Sequence, residues 1–291
     1  MRLLTVPNWS FGREKALLRQ FREILSHPLV DLHYCEADVD LNRTVVAFSA
    51  EEDVLSDMIL RLSMAAFDTI DLNKHVGAHP RIGALDVCPL VIPKLDKRPD
   101  SQLMNALAVA ENLAGRLAAT FDLPIFLYEK SERGRHEADL PSLRKGGFGQ
   151  LMDQPLKPDF GPAKAHPRLG VTVLGVRDFL IALNVNLATE EVEVVQTLAR
   201  QIRQMRIEGD ERMLGIRAQG FALPSKAFSQ LNLNLTLPDL TPVDPVVDWI
   251  YEQATGADIR IAGTELVGVI RDVDVPSASH LPIREDQIIV T

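Results

Sequence analysis

A chain of 291 residues with 46% hydrophobic and 24% charged side chains has the mix of a folded globular protein and room for one large domain or two ordinary ones. Its net charge of −9 opposes general binding to a phosphate backbone, and aromatic residues at 5% leave little to stack single-stranded nucleic acid on. No stretch approaches the ~20 apolar residues of a membrane span, and the first apolar run turns polar at Asn8, too short for a signal peptide. The expectation is a cytoplasmic protein whose partners are small molecules, with neither nucleic acid nor membrane among them.

Leu3 to Pro7 reads as a first strand and Asn8 to Gly12 as a turn. Arg13 to Ser26 puts Leu17, Leu18, Phe21, Ile24 and Leu25 on one helical stripe and stops at His27-Pro28, because the residue before proline disfavours helix. Val30 to Glu36 alternates as a strand, Asp38 to Arg43 is a polar turn, and Thr44 to Phe48 is the next strand. Ser49 and Glu52 form a capping-box pattern before a helix to about Ile70. After a loop, Ala84 to Ile92 reads as a buried strand, Asp100 to Phe121 as a helix capped by Asp100 or Ser101, and Pro124 to Tyr128 as a strand.

From Glu129 to Arg168 regular structure fades among five prolines and the Gly146, Gly147, Gly149 cluster. The segment is locally basic, and it reads either as a solvated linker or as a lid or wall for an anionic ligand. Val171 to Val176 and Phe179 to Leu187 are strands, Thr189 to about Met205 a helix, Ala218 to Leu223 and Phe228 to Leu235 strands, and Pro242 to Ala254 a helix. Ile259 to Ala262 and Leu266 to Ile270 are strand-like, and the tail lacks periodicity. Both halves therefore read β-α-β-β-α-β, the order of a ferredoxin-like unit, with an added α-β in the first half. The expected fold class is α+β, two such subdomains side by side over 1–177 and 178–291, with a cleft at their junction.

The stretch His75-Val-Gly-Ala-His79-Pro-Arg81-Ile-Gly-Ala-Leu-Asp86 carries the chemistry. Gly77, Pro80 and Gly83 make it a loop at the mouth of a buried strand, where small-molecule sites gather. Ala165-His166-Pro167-Arg168-Leu169-Gly170 repeats Ala78 to Gly83 with one conservative change, again before a strand, so the two loops are expected to face one cleft. His79 suits general acid–base work near neutral pH; the alternative is a ring that pins the loop through a carbonyl. His75 and His79 are four apart, a metal spacing only on a shared helix face, which Gly77 and Pro80 oppose, so a metal site built on them with Asp86 is weighed and no metal is expected. The Asp38, Asp40, Asn42, Arg43 cluster is either an Asx-rich turn or the source of a carboxylate that orients the catalytic histidine. Cys35 and Cys88 read as buried thiols.

At these residues the chain resembles the formiminotransferase family, the folate-dependent enzymes of histidine breakdown. The family's opening Val-Pro-Asn-Phe-Ser-Glu-Gly-Arg is similar to Val6 to Arg13, its Asn-Arg-Thr-Val turn to Asn42 to Val45, and its His-x-Gly-x-His-Pro-Arg-x-Gly-Ala-Leu-Asp-Val-Cys-Pro to His75 to Pro89. Its Asp-Phe-Gly-Pro matches Asp159 to Pro162, and its Phe-Leu-Ile-Ala-Phe-Asn-x-Asn-Leu resembles Phe179 to Leu187. The resemblance implies transfer of the formimino group from N-formimino-L-glutamate to N5 of tetrahydrofolate as co-substrate, on two subdomains flanking a ligand tunnel, in a homodimer. The family's catalytic base falls on His79; on chemical grounds, Asp38 is the candidate carboxylate to orient that imidazole and favour its cationic form. Its folate segment falls on Gly161-Pro162-Ala163-Lys164-Ala165-His166-Pro167-Arg168-Leu169-Gly170. Asn8 and Asn42 join the substrate-binding set, and Arg43, Arg81 and Arg168 are candidates to hold substrate carboxylates. Phe11 departs from the family's Glu, which leaves two alternatives: a relative that moves a formyl or other one-carbon group, and a folate binder without turnover.

Overall fold

A computed structural model describes residues 1–93, 99–152 and 154–291. The chain divides into two compact units, Met1–Arg177 and Asp178–Thr291.

The first unit opens with β1 (Arg2–Thr5) and β2 (Asn8–Trp9), followed by α1 (Lys15–Leu25), β3 (Val30–Asp38), β4 (Arg43–Glu51), α2 (Glu52–Thr69) and β5 (Leu85–Val91). Then come α3 (Pro99–Phe121), β6 (Ile125–Leu127), the short helices α4 (Leu140–Leu143) and α5 (Gly147–Met152), and β7 (Thr172–Val176). β1 and β2 both lie between β4 and β5, interrupted at Pro7, which has no N–H to give the ladder. The sheet order is β3, β4, β1 with β2, β5, β7, β6. Pairing is antiparallel as far as β5; β7 and β6 then join parallel.

Asn8 to Gly12 was expected as a turn, yet Asn8–Trp9 is a strand because Val45 and Val87 flank it. Ser49 stays inside β4 and shares a 2.9 Å hydrogen bond with His33, so it does not cap the following helix; α2 starts only at Glu52, after Glu51. α3 begins at Pro99, which leaves Asp100 and Ser101 in its first turn rather than at its cap.

The period of two along the central strands divides this unit into two apolar layers. Cys88 and Leu174 enter the large core beneath α1, α2 and α3, whose centre holds Trp9, Phe11, Phe21 and Phe67. Val87 and Val173 enter a second cluster on the other face, with Phe126, Tyr128, Leu151 and Leu156. The stretch between β6 and β7 is therefore a cover for that face and not a solvated linker. Proline and glycine hide it from a periodicity reading, since its two helices are only four and six residues long.

The second unit contains β8 (Ile181–Leu187), α6 (Val192–Glu208), β9 (Ile216–Leu223), β10 (Phe228–Leu235), α7 (Val243–Gly256), β11 (Ile261–Val267) and the small pair β12 (Ile270–Arg271) and β13 (Ile288–Ile289). Its main sheet is antiparallel in the order β11, β8, β10, β9. β11 runs unbroken where two strand-like pieces were expected, with an irregularity between Ile261 and Gly263. α6 ends at Gly209, whose φ of 85° supplies the left-handed cap. Leu183, Val185, Leu231, Leu233, Val246 and Ile250 belong to one core. With β1 and β2 counted as one strand, the first four strands of each unit share one order, fourth, first, third, second.

No described helix is long and apolar enough to cross a membrane.

Candidate active site

Three loops of the first unit meet at one end of its sheet, and their close approach depends on two glycines. A Cβ at Gly12 would lie 2.1 Å from the Asp38 carbonyl oxygen, and one at Gly77 would lie 2.3 Å from that of Leu41. The turn between β3 and β4 is shaped by Asp38, whose Oδ1 accepts from the amides of Asp40 (2.9 Å) and Leu41 (2.8 Å). Asn42 follows in the left-handed region at φ 48°. This turn is stitched to the histidine loop: Asn42 Nδ2 donates to the Val76 carbonyl at 3.0 Å, and His75 Nε2 donates to the Asn42 carbonyl at 2.8 Å.

Asn8, Trp9, Ser10, Leu41, Asn42, Arg43, His79, Arg81 and Asp86 line the resulting pocket. Arg43 reaches it from the start of β4 and donates through Nε to Asn8 Oδ1 at 2.8 Å, with Nη2 on the same oxygen. Ser10 Oγ donates to the Gly83 carbonyl at 2.6 Å. Asp86 Oδ1 accepts from the amides of Ile82 (2.7 Å) and Gly83 (3.3 Å), and its Oδ2 is paired with Arg144, which arrives from the end of α4.

His79 is 8% exposed, and its Nδ1 bonds the Pro80 carbonyl at 2.7 Å. A carbonyl only accepts, so Nδ1 carries the proton and Nε2 the lone pair. Burial, then the charges of Arg43 and Arg144, hold this histidine well below its usual range, so it is neutral at physiological pH. Arg43 itself is lowered to about 10 by burial and by Arg144, and stays cationic. The pocket is thus a neutral base set among guanidinium groups, suited to proton transfer beside an anionic ligand. The ring is oriented by its neighbour's carbonyl, and its surroundings oppose the imidazolium. The Pro80 carbonyl bonds the ring at Nδ1, and Asp38 Oδ1 holds its own turn.

The other expected residues divide. Asn8, Asn42, Arg43 and Arg81 do come together with His79. Arg81, however, spends its guanidinium on the carbonyls of Gly77 (3.3 Å), His79 (3.3 Å) and His75 (2.6 Å), which frames the loop. The second His-Pro-Arg loop pairs with the first: Val171 N donates to Ile82 O at 3.0 Å, and Ala84 N donates to Leu169 O at 2.9 Å. Its side chains do not line the pocket. His166 Nδ1 accepts from the amides of Arg168 (3.2 Å) and Leu169 (3.0 Å), and Arg168 caps the end of α2 through the Phe67 (2.5 Å) and Asp68 (3.4 Å) carbonyls. Gly161, Ala163, Lys164 and Pro167 are exposed, Pro162 half-buried, and Ala165, Leu169 and Gly170 buried.

Two contributors escaped sequence reasoning. Asp86 stood in the motif as a metal candidate, whereas it holds the loop's amides. Arg144 was one basic residue among many, and no local pattern separates it from its neighbours. Phe11 is buried in the core, edge-on to Phe21 at 5.0 Å, and the described pocket does not include it. Cys35 and Cys88 are buried free thiols, raised by burial to about 11 and about 12.

Comparison with known proteins matches residues 2–177 to the N-terminal subdomain of the formiminotransferase domain, and residues 182–291 to the formiminotransferase domain. The chain is 29% identical to the glutamate formimidoyltransferase of Thermoplasma acidophilum, over 91% of this chain and 86% of that one. It is also 29% identical to the glutamate formimidoyltransferase of Streptococcus pyogenes, over 91% of this chain and 87% of that one. Against the formimidoyltransferase-cyclodeaminase of Gallus gallus it is 29% identical over 98% of its length, and it spans about half of that relative, 53%.

Proposed function

The chain belongs to the formiminotransferase family, and from that premise we propose that it transfers the formimino group from N-formimino-L-glutamate to N5 of tetrahydrofolate, releasing L-glutamate. The observation that carries this reading is His79: a buried neutral imidazole with its basic Nε2 fixed by the Nδ1 bond to Pro80, in a pocket walled by Arg43 and backed by Arg144.

In the proposed step, N5 of tetrahydrofolate attacks the formimino carbon and gives a tetrahedral intermediate. His79 takes the proton from N5 and returns it to the glutamate nitrogen as the old C–N bond breaks. An imidazole held below its usual range is a weak base but, once protonated, a strong acid, which suits a poor amine leaving group. Arg43, with Asn8 steadying its fork, is placed to accept a carboxylate in bidentate fashion. Asp86 and Arg81 act on the loop rather than on the substrate. The folate tail is assigned to Gly161–Gly170 on the family motif. We also read each unit as a ferredoxin-like subdomain, which the shared strand order supports, and the protein as a cytoplasmic homodimer, which rests on the family.

The test mixes enzyme, tetrahydrofolate and N-formimino-L-glutamate and follows 5-formiminotetrahydrofolate by mass spectrometry, with His79→Gln beside it and N-formyl-L-glutamate as a second donor. Product from the formimino donor, reduced at least a hundredfold in His79→Gln, is expected. Product from the formyl donor alone, or full turnover by His79→Gln, would overturn the donor or the base respectively.

A further inference from the structure

Three contacts seat the cover between β6 and β7 on the loop that carries His79. A Cβ at Gly147, the first residue of α5, would lie 3.8 Å from the Arg81 carbonyl oxygen. Ile82 shares an apolar cluster with Leu151 of α5, and Leu140 and Leu143 of α4 pack against that cluster. The Arg144 guanidinium pairs with Asp86 Oδ2. All three contacts fall on Arg81 to Asp86, the stretch that follows the histidine and its proline.

A helix of four residues is too short to stand by helix formation alone, so local bonds fix Arg144 at the end of α4. Asp139 caps the turn, accepting from Ser142 N at 3.1 Å and from Ser142 Oγ at 2.8 Å. Arg144 N donates to the Leu140 carbonyl at 3.0 Å, and the Arg144 carbonyl accepts from Gly147 N at 3.0 Å. The Arg144 side chain is 13% exposed and that of Asp86 5%, so salt screens the pair little. Asp86 Oδ1 meanwhile accepts from the amides of Ile82 and Gly83. One carboxylate thus ties the cover to the loop backbone, two residues beyond the Pro80 carbonyl that orients the His79 ring. A buried ion pair is a weak device for stability, because desolvation offsets most of its attraction. Arg144 also leaves its Nε buried and without a partner among the described residues. What the pair supplies is a fixed geometry.

We propose that Arg144 is a positioning residue for the reaction at His79: by holding Asp86 it fixes the backbone after Pro80, and with it the direction in which the imidazole presents Nε2. The proposal rests on the reading of His79 as the base of the transfer. It makes the cover part of the catalytic apparatus, although none of its described residues lines the pocket.

The charges around His79 make the test specific. Arg43 comes from β4, Arg81 from the histidine's own loop and Arg144 from the end of α4, while Asp86 stands near the start of β5 against Arg144. Removing Arg144 takes a positive charge from beside the ring and raises its titration midpoint. Removing the charge of Asp86 leaves Arg144 uncompensated and lowers that midpoint. A general loosening of the fold does not produce opposite signs.

The variants are Arg144→Gln, Arg144→Lys, Asp86→Asn and the double Asp86→Asn/Arg144→Gln, all in the full chain. An asparagine at 86 keeps an oxygen for the two amides, so the double variant retains a neutral pair and serves as a folded reference. Two readouts are taken: steady-state formimino transfer at a pH of about 8, above the acid limb, and nitrogen NMR of the imidazoles, with the His79 signals identified by their loss in His79→Gln. In Arg144→Gln, kcat is expected to fall about tenfold or more with KM within about threefold. Arg144→Lys recovers part of that loss. In the Asp86→Asn background the same Arg144→Gln change costs less than about twofold more, since both residues act through one contact. The parent spectrum shows His79 protonated at Nδ1 alone, and Arg144→Gln shows a mixture of the two neutral forms. The His79 midpoint rises in Arg144→Gln and falls in Asp86→Asn. An unchanged ring spectrum, midpoints that move in the same direction, or kcat for Arg144→Gln within about twofold of the parent would each overturn the positioning role. Losses that multiply in the double variant would also overturn it, because they put Arg144 on the substrate rather than behind Asp86. A parent that makes no 5-formiminotetrahydrofolate sinks the transferase reading alone, since the ring spectrum and the two midpoints still decide what Arg144 does to His79.

Discussion

His79 shows how a single residue takes its character from what is packed around it. Its pKa is depressed by burial and by three cations, Arg43, Arg144 and Arg81, so the basic form persists below the usual histidine range. The acid limb of the kcat/KM profile is therefore expected well below pH 6.5, and Arg43→Met, which removes a positive neighbour, moves that limb upward. A pH–rate series from about 4.5 to 8 on both proteins checks the sign. The same shift has a consequence for stability. The unfolded histidine binds a proton near pH 6.5 while the folded one resists, so stability is full above that pH and drops as the pH falls below it. The slope for this one group approaches about 1.4 kcal/mol per pH unit, and His79→Gln removes it in denaturant melts across that window. Phe11 makes the opposite case. Its departure from the family pattern reads as a change in chemistry, but the ring is core, edge-on to Phe21. Phe11→Glu should cost about 3 kcal/mol or more by burying a carboxylate, seen as a lower denaturant midpoint.

At the scale of elements, the site is a junction of turns and not a property of any helix or strand. The turn after β3, the loop before β5 and the loop before β7 lock together through backbone carbonyls and amides. Gly77 lets the first two meet, and Gly170, at φ 72° with a would-be Cβ 2.0 Å from the Ile82 carbonyl oxygen, lets the last two meet. Gly170→Ala is expected to cost roughly 2–4 kcal/mol, combining an unfavourable φ with displaced backbone. Gly77→Ala should lower kcat/KM at least tenfold while leaving the thermal midpoint much closer to the parent, because it shifts the Leu41 turn and Asn42 more than the core. Thermal melts run beside steady-state kinetics on both variants separate the two effects. The loop repeat was legible at once in the sequence, yet the two copies do different work. One carries the pocket histidine; in the other, His166 accepts two backbone amides and Arg168 caps α2. A repeated motif shows that two stretches adopt one backbone form, and the contacts of each then decide what its side chains are free to do.

For the molecule as a whole, the apolar clusters respect the division of the chain. The residues of the large core around Trp9 and of the cluster around Val173 all precede Arg177, and those of the core around Leu231 all follow Asp178. Ile250→Ala, in the second core, is expected to cost about 2–5 kcal/mol. Hydrogen exchange should locate the loss of protection in Asp178–Thr291, and protection lost equally from the β5 amides would contradict separate cores. Dimerisation, proposed from the family, is checked by light scattering at working concentration, where a monomer mass would refute it.

The sequence by itself determined the element types and their order, the strand alternation, the histidine loop and the family. Each of these is written in local spacing: a period of two or 3.6, a proline that stops a helix, or a motif fifteen residues long. Only the tertiary structure decided that Asn8 pairs as a strand, that the stretch between β6 and β7 covers a sheet face, and that Arg144 stands behind His79. These depend on groups tens of residues apart becoming neighbours. Burial and charge then act over a few ångströms of space, a distance that spacing along the chain does not encode.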